Sequence, residues 1–271
     1  MSNDLDKKIN RSIRLIQSYC KYHNVTLAYS GGKDSDVVRH LCKLAKVNVQ
    51  LVHNCTTIDP PYTLTWCKKQ GAIIQRPKKT FFELVAKKGL PAMFRRFCCK
   101  ELKEKYIAPY LLLGVRASES VRRAERVKEP TSCFIYTKKQ QTEQIMPIWD
   151  WTLDDEKNFV EQESLKFHPY YYDAFGKLQL TRRLGCIGCP LLGDRGCKDY
   201  LRYPKFLRLL VKAYNHYGTT HKFVESLYND VAWQLFYSNH KQKNYDQTFH
   251  GLFEYSAKEM LEDYFNIDLT V

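Results

Sequence analysis

The hexapeptide Ser30 to Ser35, SGGKDS, has residue types that suit phosphate binding. It follows the β-prone run VTLAY and opens a segment whose apolar residues recur at helical spacing. Glycines let the backbone approach a phosphate closely, and a helix N-terminus offers N–H donors at the positive end of the helix dipole. Two serine hydroxyls and Lys33 add further donors, so we expect this loop to hold phosphate groups.

A second group of residues with chemical potential is a set of clustered cysteines. Cys186 and Cys189 form a CxxC turn between glycine and proline, and Cys197 follows eight residues after Cys189. The pair Cys98 and Cys99 lies far earlier in the chain. Thiolates in such turns bind zinc or an iron–sulfur cluster, and the spacing leaves both open. The remaining cysteines are expected to be small buried apolar residues, although Cys55 lies in a candidate site loop. They are Cys20, Cys42, Cys67, Cys55 and Cys133.

The elements that must position these residues alternate between strand and helix patterns. β-prone runs lie at 25–29, 47–53, 72–75 and 110–115, and helical patterns separate them. This alternation predicts an α/β fold, a parallel sheet with helices on both faces. Such sheets bind ligands at the carboxyl ends of their strands, so the loops after the strands are the expected site.

The pattern changes near residue 150. Thr152 and Asp155 have the spacing of a capping box that opens a helix to about Leu165, and helical patterns return at 203–217 and 220–236. We therefore expect a nucleotide-binding α/β domain over 1–150. A mainly helical part over 151–271 carries the CxxC turn and can be continuous with the first.

Composition narrows the class of protein. The chain has 271 residues, of which 44% are hydrophobic and 14% aromatic, which excludes a disordered or fibrous protein. It contains no apolar run long enough for a membrane span or a secretory signal, so we expect a cytoplasmic protein without membrane association. The net charge is +14. The excess of Lys and Arg lies in residues 87–128 and 181–212, which favours a polyanionic partner such as nucleotide or nucleic acid.

Motifs in a fixed order extend the argument to a family. They are SGGKDS at 30–35, HNCTTIDPP at 53–61, GVRASESVRR at 114–123, PIWDWT at 147–152 and GCIGCP at 185–190. Together they resemble the adenine nucleotide α-hydrolase superfamily of PP-loop ATP pyrophosphatases, and within it the phosphoadenylylsulfate (PAPS) reductase-like family. The resemblance implies a Rossmann-like sheet with an adenine nucleotide, ATP or a relative such as PAPS or APS, lying across its carboxyl edge.

The resemblance also implies a role for individual residues. Lys33, Asp34 and Arg116 are the candidate catalytic residues, with the two cations neutralising developing charge. Asp34 could hold Mg²⁺ beside the phosphates, or cap the helix, or do both. The expected nucleotide-binding residues are Ser30, Gly31, Gly32, Asp34, Ser35, Thr56, Asp59, Gly114, Arg116, Arg122 and Arg123. For Asp59 a simple turn in Asp-Pro-Pro is the alternative.

The family context also favours a [4Fe–4S] cluster over zinc. A Cys-Cys pair well before a CxxC is similar to the cluster signature of assimilatory APS reductases. A single Cys, a CxxC and one more Cys shortly afterwards is similar to the cluster of the DNA phosphorothioation ATP pyrophosphatases. The resemblance thus implies ligands among Cys98, Cys99, Cys186, Cys189 and Cys197, with one or both of the adjacent pair binding iron.

One feature departs from the sulfonucleotide reductases. Those enzymes use a cysteine in a C-terminal segment to attack the sulfate sulfur, and no cysteine follows Cys197 in this sequence. The favoured hypothesis is therefore an iron–sulfur ATP pyrophosphatase that adenylates an acceptor, DNA or tRNA, for sulfur insertion. A cysteine desulfurase or a persulfide-carrying protein would supply the sulfur. The alternatives are an APS or PAPS reductase that releases sulfite, and a nucleotide-sensing or nucleic-acid-binding module without catalysis.

Overall fold

A computed structural model describes residues 2–92, 94–137, 140–192, 194–221, 227–237 and 256–270. It divides into two compact units. Unit 1 comprises Met1–Cys55, Pro61–Arg76 and Lys105–Leu184, and unit 2 comprises Thr56–Pro60, Pro77–Glu104 and Gly185–Val271. The two domains expected on either side of residue 150 stay a prediction. The compact units group the chain differently: 151–184 belongs to the unit with the sheet, and 77–104 belongs to the unit with the C-terminal helices.

Unit 1 is the α/β unit that the sequence predicts. Its strands are β1 (Val25–Ala28), β2 (Gln50–Asn54), β3 (Ile73–Gln75), β4 (Tyr110–Leu112), β5 (Thr131–Thr137) and β6 (Gln140–Ile145). Its α-helices are α1 (Ser2–Cys20), α2 (Lys33–Leu44), α3 (Thr63–Lys69), α5 (Val121–Arg126) and α6 (Leu153–Gln162), and 3-10 turns lie at Ala117–Glu119 and Pro169–Tyr171.

The strands form one six-stranded sheet in the order β3-β2-β1-β4-β6-β5. All neighbouring pairs are parallel except β5 with β6, which are antiparallel. Val25, Thr26 and Leu27 of β1 are all buried, and since consecutive strand residues point to opposite faces, both faces of the central strand are covered. The chain leaves β1 toward β2 on one side and reaches β4 on the other, so the strand order reverses between β1 and β4. Ligands bind at such a switch point in open α/β sheets.

A hydrophobic core connects the helices of unit 1 to its sheet. Leu27 of β1, Val38 and Leu41 of α2, and Phe159 of α6 are fully buried in it. Thr152 caps α6 through a complete capping box with Asp155, as the sequence predicts. Among the described residues, no helix combines the length and the apolar character needed to cross a bilayer.

Unit 2 is mainly helical and has a core of its own. Its helices are α4 (Phe81–Lys88), α7 (Asp194–Arg202), α8 (Pro204–His221), α9 (Leu227–Ala232) and α10 (Ala257–Phe265). Irregular helical turns lie at Cys99–Lys103, Pro190–Leu192 and Trp233–Tyr237. The core includes Leu207, Leu210 and Val211 of α8. Part of the helix expected over 220–236 falls on residues outside the described part of the chain.

Two expectations about burial and elements need correction. The antiparallel β5–β6 hairpin was not expected, and it places Cys133 on an edge strand with an exposed side chain. Cys20 is half-buried, whereas Cys42, Cys55 and Cys67 are buried as expected. Cys133 shares this exposure with most of β5, the edge strand, whose side chains are mostly exposed on both faces of the sheet.

Candidate functional site

The SGGKDS loop joins the end of β1 to the start of α2. Gly31 has φ +73°, a left-handed conformation that side-chain-bearing residues rarely adopt, and Gly32 is the N-cap of α2 without a side-chain hydrogen bond. The first N–H groups of a helix have no partners within the helix. The backbone of this loop is therefore shaped as an anion-binding turn, with the helix dipole directed at it.

The side chains of the loop add polar groups to this turn. The hydroxyls of Ser30 and Ser35 lie 3.2 Å apart, and the Ser35 hydroxyl donates to the carbonyl of Gly32 at 2.7 Å. The Lys33 N–H donates to the hydroxyl of Tyr171 at 3.0 Å. Tyr171 thus fixes the first turn of α2, a role that the sequence did not indicate.

Four charged side chains meet at the loop, and three of them are buried. Lys33 Nζ donates to Glu156 Oε2 at 2.7 Å and to Asp34 Oδ1 at 3.1 Å. Arg116 Nε donates to Asp34 Oδ1 at 2.6 Å, and its Nη2 lies 3.2 Å from Glu156 Oε2. Lys33 is 3% exposed, Arg116 4% and Glu156 0%. The structure thus brings the three candidate catalytic residues together and adds Glu156, which the sequence analysis missed.

The charges in this network shift each other's protonation. Burial raises the pKa of Asp34, but Lys33 and Arg116 outweigh it and hold that pKa below its ordinary value. Burial, assisted by the nearby Asp34 carboxylate, raises the pKa of Glu156 to about 7. Oε1 of Glu156 is buried without a hydrogen-bond partner. Lys33 and Arg116 act against this rise in pKa, so these two cations are what stabilises the charged form of Glu156.

The geometry of Asp34 bears on its two expected roles. It does not cap the helix, because Gly32 occupies that position. Its two carboxylate oxygens already accept from Lys33 and Arg116. In this structure the carboxylate is the partner of two cations; its expected role as a Mg²⁺ ligand stays a prediction, and we derive no step through Mg²⁺.

Gly114 and Arg116 reach the loop from the end of β4. A Cβ on Gly114 would lie 2.7 Å from the backbone carbon of Asp34 and 2.8 Å from the Ser35 nitrogen. Only glycine allows this close approach, and it sets Arg116, two residues on, beside the N-terminus of α2. The switch point between β1 and β4 therefore carries both halves of the predicted phosphate site.

The guanidinium group of Arg123 also lies within electrostatic range of Asp34 and Arg116. Arg123 pairs with Glu119, and Arg183 Nη2 lies 3.8 Å from the same carboxylate. Burial and the neighbouring Arg183 lower the pKa of Arg123, which also senses the charges of Asp34 and Arg116. The side chain of Arg122 lies outside the described part of the structure.

A buried polar network lies behind the loop. The Tyr29 hydroxyl donates to Asp36 Oδ1 at 2.5 Å, and Trp66 Nε1 donates to the Tyr29 oxygen at 3.0 Å. Arg39 Nε donates to Asp36 at 3.3 Å. Burial raises the pKa of Asp36 to about 6 despite these donors. The network ties α2 to β1 and α3, and the sequence analysis did not identify it.

Thr56 and Asp59, two expected nucleotide-binding residues, belong to unit 2. The Thr56 N–H donates to Asp59 Oδ2 at 2.8 Å, the kind of local turn that was the alternative reading of this segment. The Cys186 thiol lies 3.6 Å from the Thr56 hydroxyl, and the Ile187 N–H donates to the Ile58 carbonyl at 2.8 Å. Within unit 2 this segment therefore supports the CxxC turn.

The five candidate metal-binding cysteines all lie in unit 2. A hydrogen bond from Cys98 and the nearby Arg96 guanidinium lower the pKa of Cys99 to about 6, whereas the Cys98 pKa is raised. Burial raises the pKa of Cys186 to about 11. The charges of Cys186 and Cys189 act on Cys98, so the adjacent pair and the CxxC turn are electrostatic neighbours.

Two glycines make room around the CxxC turn. A Cβ on Gly196 would lie 2.3 Å from the Cys189 carbonyl oxygen, and a Cβ on Gly188 would overlap the Tyr200 hydroxyl. Cys189 and Cys197 line a small cavity beside them. This thiol-rich donor set fits an iron–sulfur cluster chemically. In the described part of the chain, no group of three His, Cys, Asp or Glu side chains lies close enough together to hold a metal ion.

Comparisons with solved structures give distant matches. A PAPS reductase from Candida auris in a phosphate complex is 15% identical, with 62% of this chain and 89% of that chain covered and a TM-score of 0.43. FMN adenylyltransferase from Candida glabrata in complex with ATP is 12% identical, with 65% and 61% covered and a TM-score of 0.44. This chain thus spans about three fifths of that enzyme's length.

A third match is the U34-tRNA thiolase NcsA from Methanococcus maripaludis with its [4Fe-4S] cluster. It is 15% identical, with 81% of this chain and 82% of that chain covered and a TM-score of 0.38. Curated protein sequences give no match. The model of the phosphoadenosine phosphosulfate reductase domain matches residues 24–192, a stretch that contains the SGGKDS loop, Gly114, Arg116 and the CxxC turn. Because this match extends over more than half of the sequence, the chain belongs to the phosphoadenosine phosphosulfate reductase domain family.

Proposed function

We propose that this protein is an ATP pyrophosphatase that adenylates an acceptor in nucleic acid so that sulfur can replace an oxygen there. The observation that carries the proposal is the N-terminus of α2, whose N-cap Gly32 makes no side-chain hydrogen bond, beside Lys33 and Arg116. Two buried cations and a row of helix N–H donors are what a transferring nucleotide requires. Family membership supports an adenine nucleotide as the ligand.

In the first step an acceptor oxygen attacks the α-phosphorus of ATP. A new oxygen–phosphorus bond forms, the bond to the β-phosphate oxygen breaks, and pyrophosphate leaves with the electron pair. Lys33 and Arg116 would stabilise the charge that accumulates on the leaving pyrophosphate. To do so they must exchange part of their pairing with Asp34 and Glu156 for the phosphate oxygens.

In the second step a nucleophilic sulfur attacks the adenylated centre and AMP leaves with the electron pair of the broken bond. The attacking atom would be the terminal sulfur of a persulfide on a cysteine desulfurase or a persulfide-carrying protein. A second thiol then attacks the donor cysteine's sulfur, the S–S bond breaks with its electron pair on the transferred sulfur, and the donor leaves as a disulfide. The proposal thus predicts two products of ATP, pyrophosphate and AMP, and no inorganic phosphate.

Cys186, Cys189, Cys197 and one or both of Cys98 and Cys99 would hold a [4Fe–4S] cluster in unit 2. The cluster would cross-link two chain segments that are separate in sequence, 77–104 and 185–271. No step above depends on it.

The test is a pyrophosphate-release assay on anaerobically purified protein with ATP, alone and with DNA or tRNA. We expect release that nucleic acid stimulates, and we expect Lys33→Met and Arg116→Met each to lower it by at least about 100-fold. Lys68→Met, which removes an exposed lysine of α3, is the matched control and should retain the activity. Protein that binds ATP but forms neither pyrophosphate nor AMP under any of these conditions would refute the proposal.

A sulfonucleotide reductase is the second candidate, because the matching family model describes a PAPS reductase domain. That reaction needs a thiol that attacks sulfate sulfur, and the sequence contains no cysteine after Cys197. Sulfite formed from APS or PAPS with thioredoxin, without ATP turnover, would favour this candidate over the first.

A further inference from the structure

Two consecutive helices of unit 2 carry lysines and arginines at the same spacing. On α7 they stand at 195, 198 and 202, and on α8 at 205, 208 and 212, so each helix repeats the intervals of three and four residues. This spacing places three side chains on one face of a helix. We name the set Arg195, Lys198, Arg202, Lys205, Arg208 and Lys212 the cationic row, and all six are exposed.

The opposite faces of these helices are fixed in the core. Cys197 and Tyr200 of α7 are buried, as are Leu207, Leu210 and Val211 of α8. Gly196 lies against the backbone of Cys189, which holds α7 to the CxxC turn. Neither helix can rotate its cations inward without exposing its apolar face, so the row is a fixed surface of unit 2.

Few carboxylates neutralise the row. Among the side chains that the structure describes, which do not include that of Asp194 at the start of α7, no carboxylate lies within ion-pair distance of any of the six. Asp199 senses Arg195 and Arg202, but it is half-buried and accepts a hydrogen bond from the Gly188 N–H at 3.2 Å. Asp268 lies near Arg208, whose Nε donates to the Asp268 carbonyl at 3.0 Å. The other five cations of the row therefore face solvent.

The dimensions of the row suit a polyanion with regular spacing. Seven residues of α-helix rise about 10 Å, and over this length one strand of a nucleic-acid duplex carries about three phosphates. Each helix presents three cations over that rise. Tyr203 lies half-buried at the junction of the two helices, between the two triads.

We propose that the cationic row binds the sugar-phosphate backbone of a nucleic acid. The inference rests on the proposed function, whose acceptor it identifies, and it assigns the recognition of that acceptor to unit 2. Because lysine and arginine contacts to phosphate carry no base information, the row would position the substrate without selecting a sequence. An anionic membrane is a weaker fit, since the exposed apolar residues of the two helices are the separated Leu201 and Leu209.

The test replaces Lys198, Arg202, Lys205 and Lys212 by Gln in one variant. Gln keeps helix propensity close to that of Lys and Arg. Arg208 stays, because its hydrogen bond to Asp268 belongs to the fold. The matched control replaces Lys7, Arg14, Lys68 and Lys69 by Gln, which removes the same charge from exposed positions of unit 1. Thermal unfolding midpoints of both variants check that they fold.

Binding is measured by fluorescence anisotropy with labelled duplex DNA, single-stranded DNA and tRNA at several salt concentrations. We expect the four-site variant to lose affinity by at least about tenfold, and its slope of log K against log salt to fall by about 3 to 4 on duplex DNA. The control, which has the same net charge as the four-site variant, should bind with an affinity and a salt slope close to those of the wild type. The three probes separate DNA from RNA as the source of the phosphates.

Equal affinity and slope in the two variants would overturn the inference, as would an absence of binding by the wild type at low salt. Binding to phosphatidylserine vesicles through the row, without binding to nucleic acid, would overturn it as well. Pyrophosphate release by the wild type without nucleic acid is measured in parallel. If that release occurs and nucleic-acid binding does not, the row fails while ATP turnover stands.

Discussion

At the scale of single residues, the positive and negative charges of the proposed nucleotide site balance each other within the protein. Lys33 and Arg116 are each paired with Asp34 and with Glu156. Buried cations without partners are strongly destabilising, so this pairing lets the fold keep two positive charges in its interior. In the proposed reaction this pairing would loosen when phosphate oxygens bind. Glu156 would therefore position the two cations and also compete with the phosphate for them.

Replacing Glu156 separates these two effects. Glu156→Ala leaves two buried cations with one carboxylate, and we expect it to lower the free energy of unfolding by about 3 to 5 kcal/mol. Glu156→Gln keeps an acceptor oxygen near Lys33 and Arg116 while it removes the negative charge. We expect a smaller loss of stability and an affinity for ATP that is equal to or higher than in the wild type.

Urea unfolding and calorimetric titration with ATP measure the two quantities. Glu163→Gln is the matched control, because Glu163 ends the same helix and pairs with His40 at a partly exposed position. Its effect on stability should stay below about 1 kcal/mol. A Glu156→Ala protein as stable as this control would show that Glu156 does not hold the cations.

The pH dependence of stability should report on Asp36. Its pKa in the folded protein is raised to about 6 by burial, from an ordinary value of 3.8. A carboxyl group with a raised folded-state pKa stabilises the fold fully below its unfolded pKa, and this contribution is lost as pH rises through the folded pKa. We expect a loss of up to about 3 kcal/mol between about pH 4 and pH 7.

The measurement compares urea unfolding of the wild type and of Asp36→Asn across this range. The variant also alters the hydrogen bonds from Tyr29 and Trp66, but that cost does not vary with pH. The stability of the wild type relative to the variant should therefore decrease as pH rises. A constant difference would mean that Asp36 titrates near its ordinary pKa.

The contrast between Asp155 and Glu156 shows what sequence could predict about single residues. The capping role of Asp155 depends on Thr152 three residues away, and such local spacing is visible in sequence. Glu156 belongs to the same acidic first turn, where a carboxylate usually complements the helix dipole at the surface. Its burial depends on Lys33 and Arg116, which are distant in sequence, so only the folded structure identifies it.

At the scale of elements, local patterns predicted the parallel strands better than the hairpin. β1 to β4 are rich in apolar or β-branched residues and were expected, whereas β6 reads QQTEQI with a single apolar residue. Thr142 of β6 is nevertheless fully buried, because its hydroxyl donates to the Ala108 carbonyl at 2.8 Å. A partly buried strand whose side chains are mostly polar has no apolar periodicity to detect.

The approach of the β4 loop to α2 gives a prediction at this scale. Gly114→Ala would place a methyl group against backbone atoms of Asp34 and Ser35, which cannot move without displacing the N-terminus of α2. We expect a stability loss of about 1 to 3 kcal/mol and weaker ATP binding. Gly185→Ala is the control, because its Cβ would have ordinary contact with Leu192 at 3.4 Å. ATP affinity unchanged in Gly114→Ala would contradict the assignment of the phosphate site.

At the scale of the whole molecule, the order of the motifs predicted the family, but the sequence could not predict how the chain is grouped into compact units. The segment 77–104 lies between strands of the sheet in sequence, yet it packs with helices more than a hundred residues later. α4 and α8 share one core, in which Val85 and Leu207 are fully buried. Apolar periodicity shows that a helix has a buried face but not which helix covers it.

The same grouping leads to the last prediction, which concerns the cysteines. Cys98 and Cys99 enter unit 2 with the segment 77–104, and the CxxC turn and Cys197 enter with the C-terminal segment. Ligands from separate segments make metal binding part of the folding energy. We expect anaerobically purified protein to contain about four irons per chain, and we expect chelation of this iron to lower the stability of unit 2.

Iron and sulfide analysis of single Ser variants tests this expectation. Cys186→Ser, Cys189→Ser and Cys197→Ser should each lose most of the iron, and the comparison of Cys98→Ser with Cys99→Ser identifies which of the pair is a ligand. Cys133→Ser, at an exposed position on the sheet edge of unit 1, is the control and should retain the full content. Zinc in place of iron would assign the thiols to the other metal that their spacing allows. Iron retained in all of the variants would remove these cysteines from the site.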